Sequence, residues 1–412
     1  MKMRPFGHLI PVAEAQRRTL QAVRPIRRTE SVPLARALGR VAARTYRSPV
    51  PIPPFRRATW DGYAVRSRDT RGASSERPVH LRVVGEVYAE GGYERPVGSG
   101  EAVAIATGGA IPRGADTVVI FEHVELADTK IRVSNFIRPR QRIANPGADF
   151  PRGSLIVAKG SLLTPVELGA LASIGRGNVT VYARPRVAIL PNGNELVVPG
   201  RRLSTGQIHE SNNFTLSALV EAAGGEPHPH PPLPDDPDVI EKGVRRALRA
   251  NDLVLITGGS SVGERDYLAA VFPRVGRLLF HGIAVRPGKP TLVASTGGKL
   301  LIGMPGHPTS CLANGFWLLL PVLRKLGHRA GPGWSDVSVR LTEDYLPPSP
   351  DLATVIPLRL RGERGFPTFR DSSAITSLQH ANAFAIVPAR HRLSAGTRLR
   401  AHRLPAPIVE DA

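Results

Sequence analysis

Residues 252–267 read DLVLITGGSSVGERDY and carry the clearest indication of the fold class. Its first part, 252–256, is apolar after the aspartate and shows no alternation, which indicates a strand buried on both faces. The glycines and serines that follow allow successive backbone N–H groups to approach an anion. An ordinary strand-to-helix turn would also use glycine here, so both interpretations stay open on these residues alone.

Similar strands and helices surround this stretch. Apolar runs at 187–190 and 300–303 predict two further buried strands, and helical patterns occupy 214–223, 239–249 and 309–326. Apolar strands that alternate with helices predict a parallel sheet covered on both faces. We therefore predict a central, doubly wound, mostly parallel α/β domain over residues 185–330.

The flanking sequence is different in character. Short β-type runs at 80–87, 117–122 and 130–133 predict a β-rich lobe over 51–145. Helical patterns at 12–15, 33–38 and 167–175 predict a helical or mixed domain made of 1–50 and 146–184. Short β runs after residue 331 predict a small C-terminal β-barrel over 331–412. The fold class is thus a multidomain protein of α/β plus β type.

Composition excludes several classes of protein. The chain has 412 residues and a net charge of +21, and its one cysteine, Cys311, excludes a disulfide framework and a cysteine-rich zinc site. No apolar run suits a signal peptide or a membrane span, so we expect a soluble, cytoplasmic protein without a membrane partner. The arginines are scattered and no nucleic-acid-binding motif is present, which favours small anionic substrates over nucleic acid.

Three loops at strand ends carry the candidate chemistry. They contain Glu195 after the first strand, Asp266 after the second, and Pro305, Gly306 and Pro308 after the third. Carboxylates beside a phosphate-binding loop imply a divalent cation, because carboxylate and phosphate repel each other. Asp235 is a further candidate, although one residue of the pair 235–236 is expected to cap the following helix.

Two cations lie on a proline-rich turn. Arg286 and Lys289 occur in the sequence RPGKP at 286–290, on a turn before a strand that begins at Leu292. This arrangement suits a clamp for phosphate or another oxyanion, and a solvated basic turn is the alternative.

Ordered motifs across nearly the whole chain resemble one family. They are PPF at 53–55, TWDGYAVR at 59–66, ATGGAIPRGAD at 106–116, GAD at 147–149, NEL at 194–196, GQIHESN at 206–212, GGSSVGERDY at 258–267 and PGHP at 305–308. Together they resemble the MoeA family, the molybdopterin molybdotransferases that include the gephyrin E domain.

The resemblance implies a homodimer of four-domain protomers. Its activity would be Mg²⁺-dependent insertion of molybdate into adenylylated molybdopterin with release of AMP, after a molybdopterin adenylyltransferase has made the substrate. Asp61, Thr107 and Asp149 would reach the site from outside the α/β domain. Glu195, Asp235 and Asp266 would hold the metal or its waters. Substrate binding would fall to Gly258, Gly259, Ser260, Ser261, Gly263, Arg286, Lys289, Pro305, Gly306 and Pro308.

Three positions depart from the family pattern. Asn192 stands where threonine is usual, His307 replaces an asparagine, and Ala148 replaces a glutamate. Asn192 and His307 can still form hydrogen bonds, whereas Ala148 removes a charge. The alternatives are a paralogue that prefers tungstate, the preceding adenylyltransferase, and a non-catalytic scaffold or nucleic-acid-binding protein that kept the fold.

Overall fold

The computed structural model describes residues 8–259, 266–389 and 392–405. Its α-helices are α1 (Val12–Ala22), α2 (Pro165–Ser173), α3 (Asn212–Ala222), α4 (Pro237–Ala250), α5 (Tyr267–Val275), α6 (Pro308–Asn314) and α7 (Leu320–Leu326). Its first strands are β1 (Thr29–Pro33), β2 (Tyr46–Arg47), β3 (Arg57–Ala58), β4 (Gly62–Val65), β5 (Val79–Val87), β6 (Glu101–Ile105), β7 (Thr117–Ile120), β8 (Val124–Ala127), β9 (Lys130–Val133), β10 (Ile143–Ala144), β11 (Leu155–Val157) and β12 (Asn178–Tyr182). The later strands are β13 (Arg186–Pro191), β14 (Leu196–Val197), β15 (Ile208–His209), β16 (Glu226–Pro229), β17 (Leu253–Thr257), β18 (Arg277–His281), β19 (Val285–Arg286), β20 (Leu292–Thr296), β21 (Lys299–Met304), β22 (Ser335–Leu341), β23 (Ala353–Arg361), β24 (Arg364–Pro367), β25 (Ala383–Val387) and β26 (Arg398–Arg403).

The chain divides into two compact units. Unit 1 comprises residues 1–31, 39–43 and 180–412, and unit 2 comprises 32–38 and 44–179. The finer division into four domains stays a prediction.

Unit 1 contains the predicted α/β sheet. Its strand order is β16-β13-β17-β21-β20-β18, and five of these strands run in one direction while β20 runs antiparallel to both of its neighbours. Successive residues of β17 pack on opposite sides: Leu253 and Leu255 join a core with α3 and the 308–326 helix, whereas Val254 and Ile256 join a core with α4 and α5. Both faces are therefore covered, and the prediction of a doubly wound, mostly parallel sheet is confirmed.

The predicted helix over 309–326 contains a wider segment. α6 and α7 are joined by π-helical turns, Gly315–Leu319. Pro321 has no N–H to donate, and its ring would clash with the carbonyl of Trp317 in a regular α-helix, so the wider turns give it room. The Trp317 carbonyl instead accepts a hydrogen bond from Gln16 Nε2 at 2.9 Å, which ties α1 to this helix.

The C-terminal part of unit 1 forms a closed barrel. Going round it, β23 pairs with β24, β24 with β22, β22 with β26, β26 with β25, and β25 again with β23. Its interior includes Val339, Ile356 and Ala385. The predicted small C-terminal barrel is thus confirmed.

Unit 2 is built on a six-stranded sheet of its own. Its order is β7-β4-β6-β5-β9-β8, and the three predicted β runs correspond to β5, β7 and β9. Alternate residues face two cores, so Ala64 and Val118 lie in one while Tyr63 and Val119 lie in the other. The sheet confirms the predicted β-rich character of this region.

One helical prediction near the N-terminus is wrong. The predicted helix at 12–15 is confirmed as part of α1, but 33–38 forms only the end of β1 and a short 3₁₀ turn, Leu34–Arg36. Pro33 is extended, with φ −58° and ψ 145°, and the Leu34 N–H donates to the Gly177 carbonyl rather than to a helical partner. Strand pairing therefore prevails over the local helical pattern.

Strand β17 is preceded directly by Asp252, whose carboxylate forms an ion pair with Arg28. Asp252 accepts hydrogen bonds from Arg28 Nη1 at 2.7 Å and Nη2 at 2.8 Å, and from the Arg186 N–H at 2.8 Å. Burial alone would raise the pKa of Asp252, but these donors outweigh it and lower the pKa.

We expect Asp252→Asn to lower the free energy of unfolding by about 1–2 kcal/mol after allowance for solvent screening. Because the folded pKa is depressed, the stabilisation is present above the ordinary aspartate pKa and is lost as the pH falls through the folded value. Urea denaturation should thus separate wild type and variant at neutral pH and bring them together in acid. Glu125→Gln, which removes a solvent-exposed pair with Arg132, is the control and should have a smaller effect. An equal effect would contradict the assignment.

No helix within the described part of the chain has the length and apolar character needed to cross a membrane.

Candidate active site

The three predicted loops meet at one edge of the α/β sheet. Pro191, Thr257 and Met304 lie side by side at the carboxyl ends of β13, β17 and β21. The Asn192 N–H donates to the Thr257 carbonyl at 2.8 Å, and the Gly258 N–H donates to the Met304 carbonyl at 3.3 Å. The loops are therefore bonded to one another just past the strands, where open α/β sheets bind ligands.

The glycine turn after β17 is required by close packing. Gly258 has φ +81°, and a Cβ there would lie 2.3 Å from the Asn192 carbonyl oxygen. From the third loop, a Cβ on Gly306 would lie 3.3 Å from the Gly258 Cα. Any other residue at 258 would push the first and second loops apart. The predicted site residues Ser260, Ser261 and Gly263 lie outside the described residues.

A cavity of about 630 Å³ opens at this sheet edge. Seven predicted site residues line it: Glu195, Gly258, Gly259, Arg286, Lys289, Pro305 and Gly306. Its volume is typical of a site for a small organic ligand. Pro308, also predicted, begins α6 beside it.

Sequence reasoning missed the residues that the barrel region contributes. Ser349, Leu352 and Ser372 line the same cavity. Ser349 Oγ accepts a hydrogen bond from Arg286 Nη1 at 2.9 Å, and Ser372 Oγ lies 3.1 Å from His307 Nδ1. No local signal marks these serines, because their neighbours in the cavity are more than 60 residues away along the chain.

The backbone of the basic turn at 286–290 is bonded to a buried side-chain amide, that of Asn314. Asn314 is fully buried, and its Nδ2 donates to the Gly288 carbonyl at 3.1 Å and to Thr291 Oγ1 at 2.8 Å. Its Oδ1 accepts from Trp317 Nε1 at 2.9 Å. Gly288 has φ +114°, and a Cβ there would lie 2.2 Å from Asn314 Oδ1. Arg286 and Lys289 are therefore presented to the cavity by a turn with a fixed backbone.

The two neighbouring aspartates have separate roles. Asp236 caps α4, accepting from the N–H groups of Asp238 at 2.8 Å and Val239 at 3.0 Å. Asp235 Oδ1 instead accepts from Asn192 Nδ2 at 2.7 Å. Asn192 is only 2% exposed, so this departure from the family's threonine fixes the Asp235 carboxylate beside the glycine turn.

Asp266 is placed differently from Glu195. Its Oδ1 caps α5 by accepting from the Ala269 N–H at 3.0 Å, and its Oδ2 lies 3.2 Å from His281 Nε2. Among the described residues, neither Asp266 nor Asp235 lines the cavity, and Glu195 supplies its one carboxylate.

The donor set fits one kind of metal site. Within the described ranges, no three His, Cys, Asp or Glu side chains group closely enough to hold an ion by themselves. Magnesium commonly binds through one or two carboxylates together with substrate phosphates and water. One carboxylate, Glu195, in the same cavity as Arg286 and Lys289 fits that pattern, whereas a cage made of protein alone does not.

Unit 2 brings together two of its three predicted site residues. Asp61 Oδ1 accepts a hydrogen bond from the Thr107 N–H at 2.6 Å. This bond, with a second one from the Thr107 hydroxyl, lowers the pKa of the exposed Asp61. Asp149 is also exposed, and its N–H donates to the Ile52 carbonyl at 3.0 Å. Ala148, beside it, offers no charge.

Sequence and structure comparisons agree with each other. A family model described as the MoeA N-terminal region, domains I and II, matches residues 10–175, and one described as a probable molybdopterin binding domain matches 188–325. The molybdopterin molybdenumtransferase of Haemophilus influenzae is 35% identical over 319 residues, covering 77% of this chain and 78% of the relative. The Staphylococcus aureus MRSA252 protein of the same name is 32% identical over 391 residues, covering 93% and 92%.

A solved structure extends the similarity to nearly the whole chain. The molybdopterin biosynthesis MoeA protein from Pyrococcus horikosii has a TM-score of 0.84 and 34% identity, covering 97% of this chain and 100% of that chain. With the fold, the loop geometry and these relatives in agreement, the chain belongs to the MoeA family, whose curated bacterial members are named molybdopterin molybdenumtransferases.

Proposed function

We propose that the protein is a molybdopterin molybdotransferase, which inserts molybdate into adenylylated molybdopterin with Mg²⁺ and releases AMP. The observation that carries this proposal is the cavity at the sheet edge, which is lined by one carboxylate, two cations and a glycine turn. That combination suits a substrate rich in phosphate together with an oxyanion.

The residues divide the work by charge. Arg286 and Lys289 bind phosphate or molybdate oxygens, and Gly258 and Gly259 let backbone N–H groups come close to the same anions. Glu195 would hold the metal, and Asp235 and Asp266 stay predicted ligands of it. Bound magnesium would polarise the phosphoanhydride that joins AMP to the pterin phosphate. Positioning both substrates in one cavity would accelerate the reaction further, because the entropy cost of bringing them together is met on binding.

The proposal includes a cytoplasmic homodimer supplied by a molybdopterin adenylyltransferase. In the dimer, Asp61, Thr107 and Asp149 from the second copy would complete each site. The match over 10–175 supports a molybdotransferase rather than the adenylyltransferase, which we expect to be a single domain.

A turnover assay tests the reaction. Purified protein with adenylylated molybdopterin, Mg²⁺ and molybdate should release AMP, and omission of either Mg²⁺ or the oxyanion should stop release. A parallel arm with tungstate measures the oxyanion preference. Absence of AMP release with both oxyanions would refute the proposal. Tight RNA or DNA binding with a steep salt dependence, without turnover, would favour the binding-protein alternative instead.

A further inference from the structure

A second cavity lies at the opposite edge of the α/β sheet. It has a volume of about 550 Å³ and is lined by residues 23–28 and 297–299 with Asp252 and Leu326. Asp252 precedes β17 and the 297–298 turn precedes β21, so this cavity is at the amino ends of the strands whose carboxyl ends form the candidate active site. None of its residues lines the first cavity.

The wall of this cavity is strongly basic. Arg24, Arg27, Arg28 and Lys299 line it, against one carboxylate, Asp252. That carboxylate is already occupied, because both of its oxygens accept hydrogen bonds from Arg28. The cavity therefore keeps an excess of positive charge, and a concave wall of one sign concentrates counter-ions.

Nearby carboxylates do not cancel this charge. The other two that act on Arg28 are Glu30 and Glu226. Glu30 is bonded to Arg40, and Glu226 lies 3.9 Å from Arg186 Nε and 3.2 Å from His228 Nε2. Both are thus engaged with other partners. The guanidinium groups of Arg24 and Arg27 have no ion pair within the described part of the protein, and both side chains are exposed.

The basic segment has a fixed backbone. Val23 and Ile26 are buried, the Ile26 N–H donates to the Leu326 carbonyl at 3.0 Å, and the Ile26 carbonyl lies 2.7 Å from His328 Nε2. The Arg24 side chain packs closely over Gly298, where a Cβ would lie 3.1 Å from Arg24 Cδ. The arginines therefore project from a preorganised wall rather than from a loose terminus, which lowers the entropy lost on binding.

We propose that this cavity is a second anion site, which binds the diphosphate group of a small molecule, separately from the substrate site. Arg24 and Arg27 bind the diphosphate oxygens, for which the planar guanidinium is well matched. Arg28 stays with Asp252 and maintains the wall. Inorganic pyrophosphate and a nucleoside diphosphate present the same group, and the test separates them.

The test measures binding of inorganic pyrophosphate and of ADP to the full-length protein by calorimetry. The Arg286→Ala/Lys289→Ala variant removes both cations of the first cavity. Binding measured in this variant therefore reports on the second cavity and does not depend on the proposed turnover. In that background pyrophosphate should still bind, and adding Arg24→Ala/Arg27→Ala should weaken binding at least about tenfold. Equal affinity for ADP would show that only the diphosphate is recognised, and tighter ADP binding would show that the nucleoside contributes.

A matched control separates a site from general charge. Arg71→Ala/Arg77→Ala removes the same charge from two exposed arginines of unit 2 and should leave pyrophosphate affinity unchanged. An equal loss in this control would overturn the proposal, as would loss of all binding in the Arg286→Ala/Lys289→Ala background. Unchanged affinity in Arg24→Ala/Arg27→Ala would overturn it too. Thermal denaturation of each variant verifies that the fold is retained.

Discussion

Replacing Glu195 with glutamine is expected to lower the turnover of adenylylated molybdopterin at least about 100-fold, or ~2.7 kcal/mol of transition-state stabilisation. Glu195 supplies the one carboxylate among the described residues that line the first cavity. Glutamine keeps the size of the side chain but loses the negative charge that would attract Mg²⁺. The Mg²⁺ concentration for half-maximal rate should rise together with the loss of rate, while the denaturation midpoint stays unchanged.

The control is Glu221→Gln, which removes an exposed carboxylate on α3 of the same unit and should leave turnover unchanged. A rate for Glu195→Gln within about threefold of wild type would contradict the assignment.

Co-expression of Glu195→Gln and Asp61→Ala chains extends the test to the proposed dimer. If each site takes Glu195 from one copy and Asp61 from the other, random pairing restores about a quarter of wild-type turnover. A site complete within one chain would show no restoration.

Asn314→Leu is expected to lower the free energy of unfolding of the α/β region by about 3–5 kcal/mol, a large effect for one side chain. Leucine has a similar volume but leaves the Gly288 carbonyl, the Thr291 hydroxyl and the Trp317 N–H without the partner that Asn314 provides. The turn with Arg286 and Lys289 then loses its support, so kcat/KM should fall as well. Urea denaturation and steady-state kinetics measure the two effects.

Thr291→Val serves as the graded control for this network. It removes one hydroxyl, which donates to the Gly288 carbonyl at 2.7 Å and accepts from Asn314. The expected loss is about 2 kcal/mol, because two hydrogen bonds are lost and each usually contributes ~1 kcal/mol. If Asn314→Leu proves as stable as wild type, or no less stable than Thr291→Val, the network does not support the turn as we describe.

Much of the fold could be predicted because its signals are local. The unbroken apolar run at 253–256 identifies a buried strand by itself, and Asp235-Asp236-Pro237 identifies a helix start. In the structure, Asp236 is the residue of this pair that caps α4. The failure at 33–38 has the opposite cause, since the pairing of that segment with residue 177 depends on residues far away in sequence.

The candidate site was predictable only in part, for the same reason. Glycines and cations in loops are recognisable by residue type alone, so the sequence predicted Gly258, Arg286 and Lys289 as site residues. Ser349 and Ser372 belong to another part of the chain, and Asn314 lies in an apolar helix where its hydrogen bonds cannot be seen in the sequence. Contacts of this kind are set by tertiary packing alone.

The short strand β19 has a consequence for how the protein can be divided. Val285 and Arg286 pair with Ala353 and Thr354 at the start of the barrel strand β23. Arg286, the proposed oxyanion ligand, is thus joined by main-chain hydrogen bonds to a strand that the barrel needs for closure. We therefore expect truncation near residue 330 to give an inactive protein, because it removes the strand that pairs with Val285 and Arg286. The barrel is thus an integral part of unit 1.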